Sequence, residues 1–167
     1  MKGNESKTQL RGKETVFKDD VCIMLRGEID SLMARAVITC AYAKQYGHTD
    51  IISGTEDVVR VLREITRSEA LGEPCEAGEI LGMDFEELRT VSQHPKSELG
   101  AEHYFPDENT DMMTAMLNML RADVRRAERQ CVEAMDEHPA AASMQIVLNR
   151  LSSAVYILML ESRMHYD

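Results

Sequence analysis

Two long stretches of the chain carry apolar residues at alternating spacings of three and four, which is the period of one face of an α-helix. The first predicted helix spans about 20–46, and the second spans about 110–138 and ends at Pro139. A third periodic segment, about 140–164, is apolar on two sides. Such a helix is either central in its own fold or covered by a second partner.

Shorter elements are predicted between these helices. Ser53 and Glu56 have the spacing of a capping box, which predicts that a shorter helix begins there. Asp84 is placed to cap another short helix over about 84–91. The chain also has only four prolines and nine glycines. The sequence therefore predicts an all-α protein of long helices.

The two halves of the chain have similar element lengths, so we predict either a pseudo-symmetric doublet or a plain helical bundle. The predicted division has four parts: a flexible arm at 1–18, a first helical unit at 19–68, an acidic connector with a short helix at 69–109, and a second helical unit at 110–167. Within the arm, a helical turn is predicted near Glu14.

Charge is concentrated in the predicted connector. Residues 69–111 contain twelve acids and two bases, which equals the net charge of −10 of the whole chain. A segment of one sign is usually a solvated connector or an interaction surface.

The cysteines and the N-terminal segment indicate where the protein works. The four cysteines are scattered without metal-binding or redox spacing, which indicates packed thiols in a reducing compartment. Residues 1–18 contain no apolar run, so no signal peptide is predicted. We expect an intracellular protein of the cytoplasm, nucleus or a virion, neither secreted nor in a membrane.

Part of the first half resembles the histone fold. The resemblance lies in 41–44 (Ala-Tyr-Ala-Lys), 51–53 (Ile-Ile-Ser) and 57–62 (Asp-Val-Val-Arg-Val-Leu), and it covers 20–66, and more weakly 84–155. It implies a handshake of long helices, as in a histone doublet or a fused pair of histone-fold transcription-factor subunits. The basic residues with which histones hold DNA are missing around 49–53, which argues against DNA wrapping.

A cluster of basic residues lies on the second long helix. It could bind the phosphates of a nucleic acid or the acids of another subunit. Asp123 and Glu128 are interleaved with it, which favours a solvated face with internal ion pairs. The cluster comprises Arg121, Arg125, Arg126 and Arg129.

No catalytic motif stands out. The sequence contains no phosphate-cradling glycine loop, nucleophile elbow or kinase signature. Glu161 and His165 lie one helical turn apart, but no second pair completes a metal site. We therefore predict a non-enzymatic protein without a metal or cofactor.

These features favour an assembly or scaffold subunit that acts through protein–protein contacts in a chromatin-, transcription- or virion-associated complex. The alternative is a histone-like protein that binds or packages DNA. The predicted partner, another protein or a second copy of the chain, would cover the second apolar side of the last helix. That interface comprises Ile146, Ile157, Leu160 and Met164.

Overall fold

The structure, a computed structural model, describes residues 3–12 and 14–164. Strands β1 (Lys7–Gln9) and β2 (Thr15–Phe17) form an antiparallel hairpin in which Thr8 pairs with Val16. The helices that follow are α1 (Val21–Gln45), α2 (Thr49–Leu71), α3 (Phe85–Gln93), α4 (Pro95–Glu98), α5 (Met112–Glu133) and α6 (Ala141–Met164). The predicted all-α class is confirmed, with 68% of the structure helical.

The four long helices form a closed bundle. Helix α1 contacts α2 and α5, while α6 contacts the same two helices from the other side and is also covered by α3. Apolar side chains on several sides of α6 are buried as a result, and Val155, Ile157 and Leu158 are at most 2% exposed. Part of the second apolar side of α6, including Ile157 and Leu160, is thus covered by the rest of its own chain.

Helix α1 packs against α5. Leu32 and Leu120 are both fully buried in the core. Beside them, Arg35 donates to the Asp123 carboxylate over 3.1 Å, and Arg126 donates to the same carboxylate over 3.0 Å. Asp123 on α5 therefore pairs with Arg126 of the same helix and with Arg35 of α1.

The histone-like handshake is wrong, and the fold is a helical bundle. Helix α2 starts at Thr49 and runs unbroken through the predicted cap at Ser53. A Cβ atom on Gly54 would clash with Cδ2 of Leu158. The glycine is therefore a point of close approach between α2 and α6, whereas the sequence pattern suggested the break before a helix.

The segments outside the four long helices are also ordered by specific contacts. Thr15–Phe17 is a strand, not the predicted helical turn, and Arg26 donates to the carbonyl oxygen of Leu10 over 3.2 Å. The cap at Asp84 is confirmed, since its carboxylate accepts from the backbone N–H of Glu87 over 2.9 Å. The four-part division of the chain stays a prediction.

Among the described residues, α6 is the one helix long and apolar enough to cross a membrane by length and composition. In its most apolar window, 67% of the residues are buried inside the protein. The core helix of a folded domain passes the same test, and the contacts of α6 with α2, α3 and α5 give it that position.

A buried histidine joins the end of α2 to the turn between α5 and α6. The backbone N–H of Ala140 donates to Nδ1 of His138 over 3.2 Å, so Nδ1 is an acceptor and the proton lies on Nε2. Nε2 then donates to the carbonyl oxygen of Glu69 over 3.0 Å. Burial lowers the pKa of His138, and the charges of Arg11 and Arg26 act in the same direction, against the opposing effect of Glu69.

We expect acid to destabilise the fold through His138. The folded pKa is lowered, so the stabilisation is complete above the ordinary value of 6.5 and is lost as the pH falls below it. The loss is at most about 1.4 kcal/mol per pH unit, down to the folded pKa. Melting temperatures between pH 7.5 and 5 would show it. His138→Gln should flatten the dependence, whereas the exposed His94→Gln should not; equal slopes in all three proteins would contradict this role.

Candidate functional site

A cavity of about 430 Å³ opens between α3, α5, α6 and the loop before α5. Four arginines line it, Arg89 from α3, Arg121 and Arg125 from α5, and Arg150 from α6. Other polar groups complete the lining, including Asn118, Asn149, Ser152, Ser153, His103 and Tyr156. We call this cavity the cationic pocket, because it gathers positive charge in a chain whose net charge is −10.

The helix period explains how α5 presents its arginines. Arg121 and Arg125 lie four residues apart and therefore share one face of the helix. Among the residues that the structure describes, no carboxylate pairs with Arg121, Arg125 or Arg150. Arg89 lies 3.8 Å from Glu86, at the limit of an ion pair. Three guanidinium groups thus line the pocket without a neutralising partner from the described chain.

Arg121 is the most constrained of these groups. Its guanidinium lies over the ring of Tyr156, 5.2 Å from the ring centroid. Burial, followed by the positive charge of Arg125, lowers the pKa of Arg121. The half-buried guanidinium of Arg121 and the exposed one of Arg125 repel each other until an anion lies between them, and a guanidinium can donate two parallel hydrogen bonds to an anion. The pocket is therefore built for an anion of several charges.

The predicted four-arginine cluster divides between two sides of α5. Arg121 and Arg125 line the cationic pocket, whereas Arg126 points to α1 and pairs with Glu28 and Asp123. Arg129 is exposed and is not part of the pocket lining. Successive helical positions are rotated by about 100°, which places Arg126 on a different side of α5 from Arg125.

The loop before α5 forms one wall of the pocket. Arg163 lies 3.5 Å from the centroid of the Tyr104 ring, and the Tyr104 hydroxyl bonds to the hydroxyl of Thr110 over 2.5 Å. The next residue, Phe105, is 85% exposed and lines the pocket. Phe105 thus places a large apolar ring, exposed to water, at the edge of the cationic pocket.

A larger cavity, of about 580 Å³, is a weaker candidate for binding an anion. It is lined by Asp50, Asp57, Glu79 and Glu161, and its one base, Arg60, already donates to Asp57 over 2.6 Å. In the part of the chain that the structure describes, no group of three His, Cys, Asp or Glu side chains could hold a metal ion.

The thiols add no second reactive centre. All four cysteines are buried and unpaired, and burial raises the pKa of Cys131 to about 12. A thiol of that pKa is a poor nucleophile at neutral pH. His165, the predicted neighbour of Glu161, lies outside the described residues.

The predicted interface residues of α6 lie in two different environments. Ile157 and Leu160 are at most 2% exposed, because other parts of the chain cover them. Ile146 and Met164 are 53% and 42% exposed and remain open to a partner. The interface stays a prediction, and the buried pair could join it only if the bundle opened.

The sequence profile of the cobalamin adenosyltransferase family matches residues 1–162. The corrinoid adenosyltransferase EutT of Escherichia coli K12 is 32% identical over an alignment of 165 residues, which covers 93% of this chain and 58% of that protein. EutT of Salmonella typhimurium is 30% identical, over 97% of this chain and 60% of its own length. The chain thus spans less than two thirds of these curated relatives.

Solved structures show the same fold. A variant of a PduO-type ATP:corrinoid adenosyltransferase from Lactobacillus reuteri, complexed with cobalamin and ATP, has a TM-score of 0.74 at 19% identity, over 98% of this chain and 92% of that one. A second variant, a PduO-type ATP:co(I)rrinoid adenosyltransferase from Lactobacillus reuteri complexed with ATP, has a TM-score of 0.73 at 20% identity, over 97% and 91% of the two chains.

These comparisons correct several predictions. The histone-fold resemblance is wrong, and so are both functions drawn from it, the non-enzymatic scaffold and the DNA-binding protein. The prediction of a non-enzyme is also wrong. A nuclear or virion location has no support, since the relatives are bacterial. The error has a physical source: the helix period of a four-helix bundle and that of a histone handshake are the same, so periodicity could not separate them.

Proposed function

Because the chain belongs to the cobalamin adenosyltransferase family, we propose that it is an enzyme that transfers the adenosyl group of ATP to a corrinoid. The observation that carries the proposal is the cationic pocket, in which Arg121, Arg125 and Arg150 have no carboxylate partner among the described residues. A triphosphate chain supplies the several negative charges that such a group of arginines requires.

The reaction explains why the arginines matter. The reduced cobalt of the corrinoid provides an electron pair that forms a bond to C5′ of ATP, while the C5′–O bond breaks and triphosphate leaves with that bond's electrons. Negative charge therefore develops on the leaving oxygen. Donors fixed in advance at that position stabilise the transition state more than the bound substrate. We assign this role to Arg121 and Arg125.

The second substrate is a wide, flat and largely apolar ring. Phe105 is the exposed apolar group beside the arginines, and its loop is held from below through Tyr104. We propose that the corrinoid lies against Phe105, so that its cobalt faces a nucleotide whose phosphates occupy the cationic pocket. This arrangement would bring the two substrates together in one open cavity.

We further propose that the enzyme works inside the cell, where ATP is available, and as an assembly of copies of this chain. The exposed apolar side chains of Ile146 and Met164 support an assembly, because a partner would remove them from water. Neither the acidic connector nor the arginines of α5 are assigned to nucleic acid.

The decisive experiment supplies the purified chain with ATP and a chemically reduced corrinoid under anaerobic conditions. We expect the absorption spectrum of the reduced corrinoid to be replaced by that of an adenosylcorrinoid, which is sensitive to light. One triphosphate should be released for each corrinoid consumed. Omitting ATP is the control. A chain that binds neither ATP nor corrinoid, measured by calorimetry, would refute the proposal.

A further inference from the structure

A single side chain on α6, Tyr156, touches both parts of the proposed site. Its hydroxyl accepts the backbone N–H of Tyr104 over 3.2 Å and lies 3.0 Å from Nδ1 of His103. Its ring lies under the guanidinium of Arg121, 5.2 Å away. One end of the tyrosine therefore holds the loop that carries Phe105, and the other holds an arginine of the cationic pocket.

The two contacts use different atoms, so they can be separated by mutation. The hydrogen bonds need the phenolic oxygen, whereas the contact with Arg121 needs only the aromatic face. The ring is itself anchored, because α6 is rigidly enclosed by α2, α3 and α5. A tyrosine fixed on the central helix is thus a common reference point for the loop and for Arg121.

We propose that Tyr156 is a positioning residue that sets the distance between the corrinoid-facing loop and the phosphate-binding arginines. The inference rests on the proposed function, and it concerns how the loop and the arginines of that site are held at a fixed distance from each other. Tyr156 acts through Arg121 and through the backbone at Tyr104, and it takes no part in the bonds that form or break.

The kinetic test uses two variants that remove different contacts. Tyr156→Phe keeps the ring and loses the hydroxyl, so we expect the KM for the corrinoid to rise about fivefold to tenfold, as for a lost hydrogen bond, with the KM for ATP unchanged within about twofold. Tyr156→Leu loses both contacts and should raise both constants. Tyr46→Phe, on an exposed tyrosine at the end of α1, is the matched control.

A second measurement does not depend on activity. The chain contains no tryptophan, so Phe105→Trp introduces a unique fluorescent reporter on the loop. In this background, Tyr156→Phe should lower the anisotropy of the indole and raise its quenching by acrylamide, while Tyr46→Phe should change neither. This result bears on the position of the loop even if the chain transfers no adenosyl group.

The outcomes separate cleanly. Unequal effects of Tyr156→Phe on the two KM values, together with a more mobile indole, support the positioning role. Equal effects on both constants, or an indole whose anisotropy is the same with tyrosine and phenylalanine at 156, overturn it. A mobile indole in a protein without activity would support the role of Tyr156 in the loop and count against the proposed function alone.

Discussion

Replacing Arg125 by glutamine should lower kcat for adenosyl transfer by about a hundredfold, the usual effect of removing one fixed donor from developing negative charge. Arg125 lines the cationic pocket and has no carboxylate partner in the described chain, so its charge is available to the leaving triphosphate. Arg121 next to it is partly buried and contacts the ring of Tyr156, so we expect that it does not replace Arg125. Single-turnover rates with saturating substrates measure this step directly.

Arg129 provides the matched control for that experiment. It lies one helical turn from Arg125 on α5, is also exposed, and does not line the pocket. Arg129→Gln removes the same charge from the protein and should leave kcat within about twofold, because exposed charges at a distance are screened by salt. Similar losses in the two variants would show that net charge matters and that the pocket does not. Both variants should melt near the wild-type temperature, since neither removes an ion pair of the described structure.

Replacing Leu120 by aspartate should unfold the protein. Leu120 is fully buried on α5, where α1 and α6 both contact the helix. The substitution removes a large apolar side chain and places a carboxylate where no partner is available, which costs several kcal/mol. That cost is comparable to the 5–15 kcal/mol by which whole domains are stable. Far-ultraviolet circular dichroism during heating would show a lost or greatly lowered cooperative transition.

Met119, the residue before Leu120, tests whether the loss of stability comes from the buried position of Leu120 or from the added charge alone. Met119 precedes Leu120 on the same helix and is 43% exposed. Met119→Asp introduces the same charge on the solvent side, where surface substitutions usually change stability by about 0.5 kcal/mol or less. If Leu120→Asp melted like Met119→Asp, the core of the bundle would have to lie elsewhere.

Much of the architecture could be predicted because the residues that determine a helix lie close together in the sequence. The periods of α1, α5 and α6 appear directly in the spacing of their apolar residues, and the cap at Asp84 depends on residues within one turn. The same local signals misplaced the start of α2. Nothing near Ser53 reveals that Gly54 lies against Leu158, more than a hundred positions further along the chain.

The candidate site could not be predicted from the sequence either, because it depends on contacts between residues that are distant in the chain. Arg121 and Arg125 were recognised as basic residues, but they were grouped with Arg126, which serves the α1–α5 contact. In the loop before α5, Tyr104 is half-buried and contacts Arg163, whereas the next residue, Phe105, is exposed to solvent. Neighbouring positions in an extended segment face opposite ways, and only the surroundings decide which one is buried.

The sequence by itself therefore determined the class of the fold, the extent of most helices and the concentration of acid in the middle of the chain. The tertiary structure decided which arginines remain without partners, because ion pairing depends on groups from distant segments, such as Glu28 with Arg126. It also decided that α6 is central, since α2, α3 and α5 all pack against it. A pocket made by two long helices, a short helix and a loop exists only once long-range packing has brought them together.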